Sequence, residues 1–142
     1  MKILTRILFI SVISIVHLVL LVSCTKHPQY NVSGKWRGTI TEKGKSTLVE
    51  LSLQEQQGSI EGKLKILSLT GNDVDKGMAF DLASIEHYDN KLKFIVPITG
   101  KVDDDAIIFE LSVQENRLEG FGHELRKGSK KIPITFTRQK QD

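Results

Sequence analysis

The sequence predicts an all-β fold: about eight antiparallel strands in a meander, closed or flattened into a β-barrel, after an N-terminal leader. Three observations carry this. From Val32 onward apolar and polar residues alternate with period two, the mark of strands with one buried face. The alternating runs are separated by short stretches rich in Gly, Asn and Asp, which read as turns. No stretch after Cys24 has a helical period. Short connections favour antiparallel neighbours, because a parallel crossover needs about a dozen residues or more. Closure would remove the exposed edges that an open sheet must protect, and the barrel is favoured for that reason.

The first strand places Trp36, Gly38 and Ile40 on one face. The second points Val49, Leu51 and Leu53 inward and Glu50, Ser52 and Gln54 outward. After a turn at Gln57-Gly58, the third points Ile60, Gly62, Leu64 and Ile66 inward. A loop follows from Gly71 to Gly77. The fourth strand carries Phe80 and Leu82, and its alternation shifts near Ser84-Ile85, which predicts a bulge or bend. Asp89-Asn90 turns the chain into the fifth, with Leu92, Phe94 and Val96 inward. Asp103 to Asp105 form a polar turn before the sixth, with Ile107, Phe109, Leu111 and Val113 inward. Asn116 leads into the seventh, which carries Leu118, Gly120 and Gly122. Lys127 to Lys130 form a basic loop, and the last strand places Ile132, Ile134 and Phe136 on one face.

Two hairpins echo each other. Leu51-Ser52-Leu53-Gln54-Glu55 returns as Leu111-Ser112-Val113-Gln114-Glu115, and Ile60-Glu61-Gly62 returns as Leu118-Glu119-Gly120 after a shorter turn. Duplication of a four-strand half and chance recurrence of outward Ser, Gln and Glu both account for this. The glycines at interior positions, Gly62, Gly120 and Gly122, either leave room for a ligand cavity or let strands coil over a filled core. Few aromatics and a small barrel favour the filled core.

The 142 residues suffice for one compact domain and not two. The expected division is a leader over 1–23, a tether over 24–31 and the β-domain over 32–139. Net charge is +3, and Lys2 and Arg6 of the leader supply two of those charges. The remainder is near neutral, without a basic stripe or stacking aromatics, which argues against nucleic-acid binding. Ile7 to Val22 is an apolar run behind Lys2 and Arg6, a little short for a free-standing membrane span. It suits a secretory signal.

Leu21-Val22-Ser23-Cys24 closes that run and resembles the lipobox of bacterial lipoproteins. The resemblance implies cleavage before Cys24 and lipidation of its thiol, leaving a membrane-anchored protein with lipid on Cys24. Two acyl chains and an N-acyl group would hold it stably, where one chain is marginal. Thr25 rather than Asp follows the cysteine, which by resemblance to Gram-negative sorting implies the outer membrane, facing the periplasm. Cys24 is the only cysteine, so the chain can form no disulfide within itself.

Gly34-Lys35-Trp36 opens the first strand and Phe136-Thr137-Arg138 closes the last. This pattern resembles the calycins, the lipocalins and avidin among them. The resemblance implies that Gly34 and Trp36 meet Arg138 at one end of the barrel in a structural role. An arginine on an interior face has a reason to be there if it stacks on an indole and bonds carbonyls at the barrel's end. A wider set of residues, from Gly34-Lys35-Trp36-Arg37-Gly38 through Lys91-Leu92-Lys93-Phe94 and Leu118-Glu119-Gly120 to Ile134-Thr135-Phe136-Thr137-Arg138, is similar to a β-domain found ahead of some secreted bacterial α/β-hydrolases. No Gly-x-Ser-x-Gly elbow accompanies it here, so that resemblance implies no hydrolysis.

Residues that carry chemistry are sparse. His27, His87 and His123 are not grouped with carboxylates at metal-ligand spacing, so no metal site and no cofactor are expected. Asp73-Val74-Asp75-Lys76-Gly77 lacks the third acidic position and the downstream Glu of a calcium loop, and reads as a solvated turn. Glu61 and Glu119 form the one carboxylate pair the echo suggests, and alternation points both outward. The expected function is therefore a non-enzymatic accessory or interaction module of the cell envelope, with an envelope protein as partner. The alternative is a lipocalin-like binder of a small apolar ligand or lipid. A filled interior with a bare strand edge fits the first; an interior cavity with one open mouth fits the second.

Overall fold

The computed structural model describes residues 30–69, 78–103 and 105–140. The leader 1–23, Cys24, His27, most of the tether, the loop from Gly71 to Gly77 and Asp104 lie outside the described residues. Nine strands follow one another: β1 (Gly34–Glu42), β2 (Lys45–Gln56), β3 (Ser59–Leu69), β4 (Ala79–Asp81), β5 (Ala83–Tyr88), β6 (Lys91–Val96), β7 (Ile107–Val113), β8 (Arg117–Glu124) and β9 (Ile132–Arg138). All ladders are antiparallel, in the order β4-β3-β2-β1-β9-β8-β7-β6-β5.

Turn chemistry sets the meander. Lys43-Gly44 and Gln57-Gly58 are two-residue connections with positive φ at both residues, 49° and 77° in the first and 53° and 79° in the second. That geometry matches the right-handed twist of the flanking strands, and glycine adopts it without a Cβ clash. β1 then pairs with β9, Trp36 opposite Arg138 and Gly38 opposite Phe136, so the first and last strands join.

Among the described residues the strands number nine where about eight are expected, and the reason is local. The stretch read as one fourth strand breaks at Leu82 into β4, which pairs with Lys63 to Lys65 of β3, and β5, which pairs with β6. Ser84 has φ of 50°, a left-handed conformation for a non-glycine residue, at the place where alternation shifts. The Leu82 N–H donates to the Gly62 carbonyl at 2.9 Å. The two edges of the sheet thus meet at Leu82, and the nine strands make a nearly closed barrel-like sheet.

Period-two patterning decides what goes inside. Trp36, Val49, Leu51, Leu53, Leu64, Leu92, Phe94, Val96, Phe109, Leu111, Val113, Leu118, Ile134 and Phe136 are all buried in one core. The Phe94 and Phe109 rings stack with centroids 5.0 Å apart, and Phe109 meets Phe136 edge-on at 6.3 Å. These offset and edge geometries suit the ring quadrupoles. The middle of the barrel is therefore filled by side chains.

The interior glycines belong to that filling. A Cβ on Gly120 would stand 2.0 Å from the Glu110 carbonyl oxygen, and one on Gly62 would meet Leu53 at 2.7 Å and Leu82 at 2.8 Å. Absence of a side chain there admits close neighbours rather than a ligand. The echoed hairpins differ in register: Gly62 faces Leu53, whereas Gly120 faces Leu111. The shorter second turn moves the glycine along by one pleat.

Candidate functional site

Once the core is filled, the two ends of the barrel and its open side hold the groups that the sequence marks and the cavities beside them. The first end gathers the residues marked in the sequence. The Arg138 guanidinium lies over the Trp36 ring, 4.0 Å from its centroid. Arg138 also donates to three carbonyls, from Nη1 to Ser33 at 2.6 Å, from Nη2 to Asn31, and from Nε to Glu115 at 3.1 Å. The Trp36 indole N–H donates to the Val32 carbonyl at 2.9 Å. Gly34 sits directly below, with φ of 131° and the place of its absent Cβ 3.1 Å from Arg138 Nη1. A side chain at Gly34 would press on the guanidinium. The structure thus brings Gly34, Trp36 and Arg138 together.

Burial lowers the Arg138 pKa from its ordinary value and the Glu115 charge opposes this. The group stays cationic at any physiological pH. Its donors are spent on carbonyls, so the cluster ties the chain's entry and exit together and offers no acid, base or nucleophile. Tyr30 packs against the core and Asn31 is held by Arg138, so the ordered domain reaches back past Val32.

The opposite end holds a small cavity of about 320 Å³. Its walls are Ile40, Ile107, Phe109, Ile132 and Ile134, and Glu42, Lys43, His123, Glu124 and Lys130 stand at its rim. His123 Nδ1 lies 3.0 Å from the Glu124 carbonyl oxygen. The volume sits at the lower edge of what small-molecule sites occupy.

The side is where the barrel fails to close. β4 covers β3 only at Lys63, Leu64 and Lys65. Below Leu82 the chain has crossed to β6, so among the described residues Ser59 to Glu61 of β3 have no strand on that side, and β5 has none on its side away from β6. The two bare edges flank an open seam. It is continuous with a cleft of about 1180 Å³ whose lining includes Leu53, Ile60, Gly62, Leu82 and Ile85 and which reaches Lys35 and Arg138.

His87, on the same face of β5 as Ile85, is half-buried, and its Nε2 is buried with no hydrogen-bond partner among the described residues. Burial lowers its pKa below the ordinary 6.5, and the Glu55 carboxylate opposes this. Glu55 pairs with Ile60 across the β2–β3 turn, so this coupling reaches across the seam.

Other expected groups stay apart. His87 and His123 lie at opposite ends of the barrel. Among the described residues no three His, Cys, Asp or Glu side chains come together as a metal site would require. Glu61 and Glu119 are both exposed and on different parts of the wall, and Glu119 pairs with Arg117 at 3.2 Å. Asp103 accepts from the Thr99 hydroxyl at 2.6 Å and Asp105 pairs with Arg126 at 3.1 Å, so these acids order a loop.

The seam residues Ile60, Ile85 and His87 were not singled out as a site by the sequence reading. The available signal was the broken alternation at Ser84-Ile85. Comparison with known proteins finds no family model, no curated protein and no solved structure that matches the chain.

Proposed function

We propose that this chain is a non-enzymatic interaction module of the cell envelope, held at a membrane by lipid on Cys24 and acting through the outside of a filled barrel. One observation carries the reading. The interior is occupied by Trp36, Phe94, Phe109 and Phe136, all fully buried, while among the described residues backbone edges are left bare at the side. A packed core leaves no room for a large guest, and a bare edge is a template for another chain. The polar clusters support the same reading, because Arg138 is committed to carbonyls and the histidines are apart. In this reading the anchor follows from Leu21-Val22-Ser23-Cys24, and Thr25 assigns the outer membrane with the domain in the periplasm.

A second reading rests on the cavity of about 320 Å³ opposite Arg138, whose apolar walls and polar rim suit a small apolar ligand. Native mass spectrometry separates the two. The lipidated chain would be purified from its own host without denaturant and released from non-ionic detergent. A mass equal to protein plus lipid anchor supports the interaction module. A reproducible additional mass of a small molecule, lost on collisional activation and absent from an Ile132→Trp variant that fills the cavity, overturns it in favour of a carrier.

A further inference from the structure

We infer that the outer wall over β6, β7 and β8 carries a binding groove for a neutral glycan, held between the exposed rings of Tyr88 and Phe121. This deepens the reading of a barrel that acts through its outside, and rests on it.

The aromatic residues mark the place. Trp36, Phe94, Phe109 and Phe136 are buried, and Tyr30 and Phe80 pack against the core. Among the described residues that leaves Tyr88 and Phe121 as the exposed aromatics, and both line one groove of about 700 Å³. That volume falls within the range of small-molecule sites. The register fixes how far apart the rings stand. Tyr88 pairs with Lys91 on β6, Lys91 with Ser112 on β7, and Ser112 with Glu119 on β8, the strand that carries Phe121. At the usual spacing of neighbouring strands the two aromatics are therefore roughly 14 Å apart across the wall, the span of a short oligosaccharide. Between them the floor is backbone, because Leu92 and Leu111 turn their side chains into the core and Gly120 has none. The Lys131 ammonium lies over the Phe121 ring, 5.9 Å from its centroid, and steadies it from outside the groove.

The polar groups argue for a neutral occupant rich in hydroxyls. Two rungs cross the groove: Lys91, Ser112 and Glu119 in one, Lys93, Glu110 and Phe121 in the next. Each rung carries an ammonium and a carboxylate, and Asp89 and Asn90 stand beside Tyr88. Glu119 is tied to Arg117 at 3.2 Å and Glu110 to Lys131 at 3.4 Å, both cations outside the groove. Lys91 and Lys93 join no ion pair among the described residues. An anion here would meet the carboxylates of Asp89, Glu110 and Glu119, and a cation would meet Lys91 and Lys93. An apolar guest would strip water from both kinds of group and replace none of their bonds. A sugar hydroxyl donates and accepts at once, so a ring of hydroxyls answers ammonium and carboxylate together. The C–H face of a sugar ring is apolar and faintly positive, and it rests well on the negative face of an aromatic ring. Tyr88 and Phe121 supply such faces, and the mixed charge between them suits the hydroxyls.

The test is isothermal titration calorimetry on the full lipidated chain in a polyoxyethylene detergent, which carries no sugar of its own. The neutral probes are cellotriose and chitotriose. They are compared with fully N-deacetylated chitotriose, which is cationic, and with cellotriose oxidised to the uronic acid at its primary hydroxyls, which is anionic. At least one neutral trisaccharide is expected to bind at least about tenfold more tightly than either charged one. Tyr88→Ala and Phe121→Ala, both at exposed positions, should each weaken that binding about tenfold, the loss of one stacked ring, while leaving Trp36 fluorescence unchanged. No heat from either neutral sugar, equal or tighter binding of a charged one, or parental affinity in both ring variants would overturn the inference. Failure here with a mass equal to protein plus lipid anchor leaves the interaction-module reading in place through another surface. Sugar binding alongside a small molecule lost on collisional activation would sink that broader reading and keep the groove.

Discussion

Arg138 stacks on Trp36 at 4.0 Å while bonding the carbonyls of Asn31, Ser33 and Glu115. One side chain from the last strand thereby clamps the entry to the first and the turn between β7 and β8. Arg138→Met keeps the stem and removes the donors; it should destabilise the domain by roughly 1–3 kcal/mol, the range for bonds to a charged group and the carbonyls left behind. Arg138→Lys should recover only part, because an ammonium cannot span three carbonyls as a guanidinium fork does. Trp36 is the only tryptophan, so its fluorescence during urea unfolding reports on the clamp directly. Trp36→Ala, followed by circular dichroism, should cost roughly 3–5 kcal/mol, as large core truncations do. Unchanged urea midpoints in these variants would show that the clamp contributes nothing to stability.

Gly120 tests the close approach of β7 and β8. Its missing Cβ would stand 2.0 Å from the Glu110 carbonyl oxygen, so the backbone itself must shift to accept a methyl group. Gly120→Ala should cost about 1–3 kcal/mol, as overpacking does. Gly44→Ala is the control: nothing lies within 4 Å, and only the positive φ of 77° resists the change. That variant should lose about 1–2 kcal/mol, the cost of the left-handed conformation for an L-residue, with no packing clash added. Equal losses for the two in thermal melts would contradict the packing described at Gly120.

His87 predicts a pH dependence. Its folded pKa lies below the 6.5 of an unperturbed histidine, because burial disfavours the charged ring. Between these two values the unfolded chain binds more protons than the folded one, so stability falls as pH drops below about 6.5 and levels off once the folded value is passed. The urea midpoint should therefore fall between pH 7.5 and pH 5.5 in the parent protein. In His87→Phe, which keeps an aromatic ring and removes the titration, the fall should be smaller. The same slope in both proteins would assign the acid sensitivity elsewhere.

Cys24 tests the address. Cys24→Ala should abolish incorporation of labelled palmitate and leave the uncleaved precursor. Normal labelling of that variant would refute lipidation at this residue.

The interior was legible because alternation depends on neighbours along one strand. Val49, Leu51 and Leu53 are all buried, as are Leu92, Phe94 and Val96. The pairing of Trp36 with Arg138 was expected for a different reason, the resemblance of Gly34-Lys35-Trp36 and Phe136-Thr137-Arg138 to the ends of calycin barrels. The seam was not, because period two reports which face a residue takes and not which strand lies beside it. Ser84-Ile85 marked a break in the pattern, but the consequence depends on whether β5 returns to β3 or crosses to β6, a choice made by packing across the barrel. His87 was hidden likewise: between Glu86 and Tyr88 it reads as one more inward position, and the bare edge beside it belongs to β3, far away in sequence.

The union of β1 with β9 has a consequence for biogenesis. Ser33 and Arg138 are 105 positions apart, so the bond between them forms only after nearly the whole domain has emerged. Contacts this distant slow folding, because the chain must lose loop entropy before they compensate. Until then the nascent protein carries unpaired edges on β1 and β8 and an uncovered Trp36, the features that chaperones hold and proteases cut. A chain released before Ile132 would keep those edges permanently, which gives quality control a clear mark by which to remove truncated copies.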